Sequence, residues 1–376
     1  MGFLGILGIV ILIVGIYFLI NGILNVIVLS RIKGKPILKD GPMVSVCIPA
    51  RNEEDNIGKC LDSLMNQTYT NMEILVLDDN SNDRTADIIN EYHQKDSRIR
   101  YLKGKPLEKG WKGKTFGMQQ LIENSKGEFI LFVDADTIHG PDSVANGISI
   151  AVQRNVDFVS GYPRELCPSY AGSVAISAMV FLCLALPMFL QPWLNTKTLA
   201  SCIGQYMLVR KTALLEIGGM TSIKNGITDD VNLVRKMVGN GHRALLTSFK
   251  EHVSCNMYPD LKSAIHGIGR SVTGIIPTWM FSFLIIAVFG LFLSSFSGIA
   301  SLVWLIISGY STPAMMILGG SLLIWIGWAI VARFEGFSFL VAFSQPLSFI
   351  MTALLYNFSV FSRIMKKSIK WKGREV

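Results

Sequence analysis

The chain has 376 residues, 50% of them hydrophobic and 16% charged, with 35 Lys and Arg against 27 Asp and Glu and a formal net charge of +8. Residues 1–30 and the 62 residues 271–332 carry no formal charge, and mean hydropathy is +0.42. About 20 apolar residues cross a bilayer, so this pattern excludes an all-soluble globular protein, a disulfide scaffold and a disordered chain, and leaves a charge-bearing middle large enough for one enzyme domain.

Residues 1–30 read as a membrane anchor followed by the basic flank Arg31, Lys33, Lys35 and Lys39. A cleaved signal would carry its charge ahead of a shorter apolar core. Residues 43–50 form a continuous apolar run, as a buried strand does. Ile57, Cys60, Leu61, Leu64 and Met65 then recur at helical spacing, with Asn52 as a candidate N-cap. Strand, helix, strand and helix follow at 73–77, 83–92, 129–133 and 141–152, an α/β alternation that predicts a doubly wound sheet with ligands at the carboxyl ends of its strands. The apolar stretch 171–194 is long enough to cross a membrane. A helix lying in or dipping into the interface is preferred, because a single crossing would split the motifs below between two compartments.

Residues 279–309 and 313–332 read as spanning helices joined at Gly309–Thr312, and a third apolar run, 337–361, is interrupted by Gln345 and Pro346. Three runs conflict in parity with a tail on the same side as the middle domain. One run is then interfacial, or 275–309 folds back around Ser294 to Gly298. The tail 363–376 carries six basic residues against one acidic, which the positive-inside rule assigns to the cytosol. Flank and tail account for the net positive charge, so it concerns orientation rather than a nucleic acid, and no protein partner is inferable. The organisation expected is thus an anchor at 1–30, a cytosolic domain at 43–270, a transmembrane bundle at 275–362 and a basic tail. The six cysteines show no CxxC pair, and neither they nor the five histidines are assigned a chemical role.

The chemistry concentrates where strands end. Pro49-Ala50-Arg51-Asn52-Glu53-Glu54, Asp78-Asp79-Asn80-Ser81-Asn82-Asp83 and Asp134-Ala135-Asp136-Thr137 each follow an apolar run. One such cluster is often a capped turn; three at one sheet edge point to a shared site. Asp134 and Asp136 can face one hard cation, Mg2+ or Mn2+, which takes one or two protein carboxylates together with phosphate oxygens. Lys109-Gly110-Trp111-Lys112-Gly113-Lys114, ahead of a helix expected near Thr115, suits phosphate. Thr228-Asp229-Asp230 opens another helix; one carboxylate suffices as a cap, which leaves the other as a general base.

With these motifs in the order PARNEE, DDNSND, DAD, TDD, the chain resembles the family 2 glycosyltransferases of GT-A fold over residues 43–270. A closer resemblance, from Gly110-Trp111-Lys112-Gly113-Lys114, the two apolar ends and Trp371-Lys372-Gly373-Arg374, is to the membrane-bound branch acting on carotenoid acids and hopanoids. The resemblance implies a Rossmann-like nucleotide-diphospho-sugar transferase domain with N-terminal and C-terminal transmembrane helices. Pro49, Arg51, Glu53 and Asp79 would hold the nucleotide, with Lys112, Lys114 and Asp134 along the rest of the donor and Asp136 on the metal. Asp230 would be the base beside Asp229, with Gly204, Gln205 and Arg270 on the acceptor side. Processive synthases carry Q-x-x-R-W where this chain has Gly267-Ile268-Gly269-Arg270-Ser271, so the resemblance favours transfer of a single hexose, from a UDP-sugar, to a lipid. Two rivals share the donor site: transfer to a polyprenyl phosphate or diacylglycerol, and a nucleotide-sugar-sensing membrane protein without turnover.

Overall fold

The structure, a computed structural model, describes residues 2–34, 41–224, 226, 228–256, 258, 260–265, 267–268, 281–364, 370–371 and 374–375. The chain divides into two compact units. One comprises Met1–Val28, Cys167–Phe189 and Tyr258–Lys367, the other Leu29–Leu166, Leu190–Met257 and Ser368–Val376.

The sheet-bearing unit is built on β1 (Val44–Ala50), β2 (Met72–Asp78), β3 (Ile99–Lys103), β4 (Phe129–Val133), β6 (Phe158–Tyr162), β8 (Tyr206–Arg210) and β9 (Ala244–Ser248), in the order β3-β2-β1-β4-β8-β6-β9. β1 is parallel to β2 and β4, with Val44 opposite Met72 and Phe129. Every residue of β2 and β4 is buried, which is why both read as unbroken apolar runs. The sheet is mixed: β8 runs antiparallel to both β4 and β6. A smaller sheet, β5-β10-β7, uses β5 (Thr137–His139), β10 (Val253–Cys255) and β7 (Arg164–Glu165). Trp371 and Arg374 pair in a short antiparallel ladder between Lys370–Trp371 and Arg374–Glu375, while Lys372 and Gly373 lie outside the described residues.

Helices α2 (Ile57–Met65), α3 (Thr85–Lys95), α4 (Gly113–Asn124), α5 (Ser143–Gln153), α7 (Lys211–Glu216) and α8 (Asp229–Gly239) belong to the same unit. One continuous core joins β1, β2 and β4 to α4, β8 and α8 through Cys47, Leu77, Met118, Phe132, Met207 and Leu233. Asn52 is not the N-cap of α2; that position is Asn56, and Asn52 sits in a turn at φ +52°.

The helical unit contains most of α1 (Phe3–Arg31), with α6 (Tyr170–Ala185), α9 (Phe281–Ser308), α10 (Thr312–Phe334), α11 (Phe339–Phe343) and α12 (Gln345–Ile364). α1 and α10 are long and apolar enough to cross a membrane. α9 is continuous from 281 to 308, so the reversal considered around Ser294 does not occur. α6 ends well short of residue 194. Its following turn is held by two buried asparagines of α1: the Asn21 and Asn25 amides donate to Leu186 O at 3.2 and 2.9 Å, and Phe189 N donates to Asn25 Oδ1 at 2.7 Å. These amides satisfy backbone groups that a helix break exposes.

Candidate active site

The loops after β1 and β2 are laced together. Arg51 donates through Nη1 to Asp79 O at 2.5 Å and Asn80 O at 2.8 Å. Asp79 N donates to Ala50 O at 2.8 Å, and Asn82 N to Asn52 Oδ1 at 2.9 Å. Two residues in the left-handed region, Asn52 and Asn80 (φ +52° and +53°), make the turns, and asparagine tolerates that region better than most side chains. The arrangement sets Arg51 against the backbone of the buried Asp79, with Pro49 near the end of β1, while Glu53 N donates to Thr85 Oγ1 at 2.7 Å. Beside them lies a shallow depression lined by Asn52, Glu53, Glu54, Asp55, Asn56, Asn82 and Asp83. Its four carboxylates and lack of Lys or Arg make it a poor place for a diphosphate.

The cationic end lies across the edge of the sheet. Gly110 takes φ +85°, open to glycine, and Trp111 packs on Phe116 with ring centroids 5.3 Å apart. α4 begins at Gly113 rather than near Thr115, with Lys112 as its N-cap residue, so Lys114 lies in its first turn. The Lys114 ammonium reaches Asp134 Oδ1 at 2.7 Å and Asp229 Oδ2 at 3.3 Å. Burial works to lower its pKa, and the Asp134, Asp229 and Asp230 carboxylates overcome that and raise it.

Asp134 directly follows β4 and opens a tight turn, its carbonyl accepting from Thr137 N and Oγ1 at 3.2 and 2.6 Å. Asp134 and Asp136 are both half-buried, with Ala135 buried between them. Two thiols report this negative edge. Burial, and then the Asp136, Asp134 and Glu53 carboxylates, push Cys60 up to about 12 against a hydrogen bond from Thr137. Burial, and then Glu165, Asp136 and Asp134, raise Cys255. Among the described residues no group of three or more His, Cys, Asp or Glu converges on one point.

The N-cap of α8 is Thr228, so Asp229 and Asp230 occupy its first turn and neither caps it. Asp230 Oδ1 accepts from Val231 N at 2.7 Å. Its pKa is raised to about 7, first by burial and then by Asp229, with the Val231 N–H and Lys114 opposing. Gly204 faces this pair: a Cβ there would stand 3.5 Å from Asp230 Oδ2 and 3.6 Å from Lys114 Nζ. The next residue, the buried Gln205, donates through Nε2 to Glu165 Oε1 at 2.7 Å. Glu165 was not singled out by the sequence, since a two-residue strand carries no periodicity; its only mark is a lone acid in Tyr-Pro-Arg-Glu. Arg270 lies outside the described residues.

Residues 45–217 match the family model described as Glycosyl transferase family 2. Over those residues the chain is similar to the family 2 glycosyltransferases. That segment spans Pro49 to Asp136 together with Gly204 and Gln205, and it stops short of Asp229 and Asp230. The chain is 41% identical over 106 residues to "Probable glycosyltransferase YdaM" of Bacillus subtilis (strain 168), covering 28% of this chain and 25% of that protein. It is 33% identical over 122 residues to UDP-Glc:alpha-D-GlcNAc-diphosphoundecaprenol beta-1,3-glucosyltransferase WfgD of Escherichia coli, covering 32% and 46%. The matched stretch is thus less than half the length of either relative. The mannosyltransferase PcManGT of Pyrobaculum calidifontis, solved in complex with GDP-Man and Mn2+, shares the GT-A fold with a TM-score of 0.58 at 16% identity, over 97% of this chain and 99% of that one.

Proposed function

We propose that the protein is a membrane-bound, inverting glycosyltransferase that moves one hexose from a nucleotide sugar, a UDP-sugar in the first instance, to a lipid acceptor such as a carotenoid acid or other isoprenoid lipid. The observation that carries this is the meeting of the DAD strand end with the first turn of α8 at Lys114, 2.7 Å from Asp134 and 3.3 Å from Asp229. It brings donor-type and base-type carboxylates to one edge of the sheet.

In this reading Arg51, Glu53 and Asp79 frame the nucleoside. Lys112 and Lys114 face the diphosphate. Asp134 and Asp136 are hard oxygen donors at an edge that already draws in one cation, the Lys114 ammonium, so they suit Mg2+ or Mn2+. Held there, the ion would neutralise charge on the departing diphosphate. An acceptor hydroxyl attacks the anomeric carbon, the bond from that carbon to the phosphate oxygen breaks, the nucleoside diphosphate departs, and Asp230 takes the hydroxyl proton. A value near 7 suits a base that must be ionised at working pH and still accept a proton.

The lipid acceptor is supported by the spanning helices α1 and α10 and by WfgD, whose name specifies a diphosphoundecaprenol-linked acceptor. WfgD's name, a beta-1,3 transfer to GlcNAc borne on diphosphoundecaprenol, also favours a second reading, sugar transfer in polyprenyl-linked glycan assembly. Arg31 at the end of α1 and Lys33 beyond it favour a multi-pass protein with its catalytic domain in the cytosol. The deciding experiment incubates detergent-solubilised full-length protein with Mn2+, a panel of UDP- and GDP-hexoses and native lipid extract, and reads glycolipid mass. Asp136→Ala should abolish metal-dependent transfer. Full activity in that variant would sink the enzyme reading, and donor binding without turnover in any extract would favour a sensor.

A further inference from the structure

Asp134 and Asp229 lie on different elements, the end of β4 and the first turn of α8, and both close on one ammonium. Lys114 Nζ is 2.7 Å from Asp134 Oδ1 and 3.3 Å from Asp229 Oδ2. The stem of Lys114 is fixed by α4, whose Thr115, Phe116, Met118 and Leu121 are buried. Among the described residues Asp230 has no salt-bridge partner, and beyond it lies Gly204, where a Cβ would stand 3.5 Å from Asp230 Oδ2. Two adjacent carboxylates therefore divide: one is spent on a lysine, the other faces a position without a side chain.

We propose that Lys114 is a positioning residue. Through Asp229 it ties α8 to the donor strand, and so holds Asp230 towards the reacting centre. The inference rests on the transfer reading above and adds to it that Asp229 is the tether and Asp230 the reacting carboxylate. A lysine that served the diphosphate alone would have no need of Asp229, and its loss would appear as weaker donor binding. A tether has a different mark. Cutting it at either end does the same damage, and cutting both ends adds nothing.

The test uses full-length protein in detergent with Mn2+, UDP-glucose and GDP-mannose as donor probes, and total lipid from membranes of the expressing cells, reading nucleotide release. Asp229→Asn should lower kcat by about ten- to a hundredfold, the scale of a misplaced reacting group, with donor KM unchanged. Lys114→Met should lower kcat by the same factor, the double variant should be no slower than the slower single, and Lys114→Arg, which can still bridge, should recover most of the rate. Thermal unfolding without donor should show the same coupling. Multiplicative effects in turnover and additive effects in unfolding overturn the tether, as does an Asp229→Asn defect confined to donor KM. A wild type that releases nucleotide from neither donor overturns the transfer reading and the positioning role with it, whereas active wild type with multiplicative variants overturns the positioning role alone.

Discussion

Asp229 and Asp230 share one chemistry, and their surroundings differ. Asp230 is raised to about 7 by burial and by the Asp229 charge. In the folded state it keeps its proton where the unfolded chain has lost it, so the stability it contributes is present below the ordinary aspartate value, near 3.8, and is lost as pH rises through about 7. Base catalysis needs the opposite form, so transfer to a hydroxyl should rise with pH through about 7. Asp229→Asn removes one of the charges that raise Asp230, and the limb should move to lower pH. Rate profiles on wild type and variant check both, and an unmoved limb would remove Asp229 as a cause. At this scale the placement of the candidate residues was legible in the sequence, because carboxylates that follow apolar runs appear at strand ends. What could not be read is partnership. Arg51 props a neighbouring loop through its carbonyls, and Glu165 meets Gln205 across forty residues of chain. His139, given no catalytic role on sequence grounds, is driven down to about 3 by burial and contacts Thr137 and Ser143.

Between elements, the apolar α1 offers more than a length that could cross a bilayer. Its glycines Gly8, Gly15 and Gly22 stand seven residues apart and meet α10, where Gly320 and Gly327 keep the same spacing. A Cβ at Gly15 would run into Gly320 O, and one at Gly320 would lie 2.5 Å from Ile11 O. Close backbone approach of this kind is how spanning helices associate when lipid offers no hydrophobic drive. Gly15→Leu should therefore cost about 1–3 kcal/mol, the scale of overpacking, seen as a lowered Tm of the full-length protein in detergent. Gly290→Ala in α9, where nothing lies within 4 Å of the new Cβ, should leave Tm unchanged or slightly raised. Equal Tm values for the two variants would remove the packing argument. The elements themselves were readable where burial is complete, as in β2 and β4. β3 escaped because only Ile99 is buried and Arg100 and Lys103 break its run. The antiparallel direction of β8 could not be read, because a run such as Tyr-Met-Leu-Val-Arg carries no sign of it.

For the molecule as a whole, the transfer reading leaves one question: what kind of group accepts the sugar. Donor chemistry is the same for every acceptor considered, but the demand on Asp230 differs. A hydroxyl, as in a diacylglycerol, must lose its proton during attack. A carboxylic acid, with a pKa of about 4.3, arrives ionised at neutral pH, and a phosphate carries a charged oxygen as well. Asp230→Asn should therefore cost the roughly 10²- to 10⁴-fold typical of lost general-base catalysis with a hydroxyl lipid, and far less with a carotenoid acid or a polyprenyl phosphate. The comparison needs one variant, two acceptors and the kcat of each, with glycolipid mass identifying the product. A full-sized loss with a proven acid acceptor, in a protein that melts like wild type, would mean that Asp230 does something other than remove a proton.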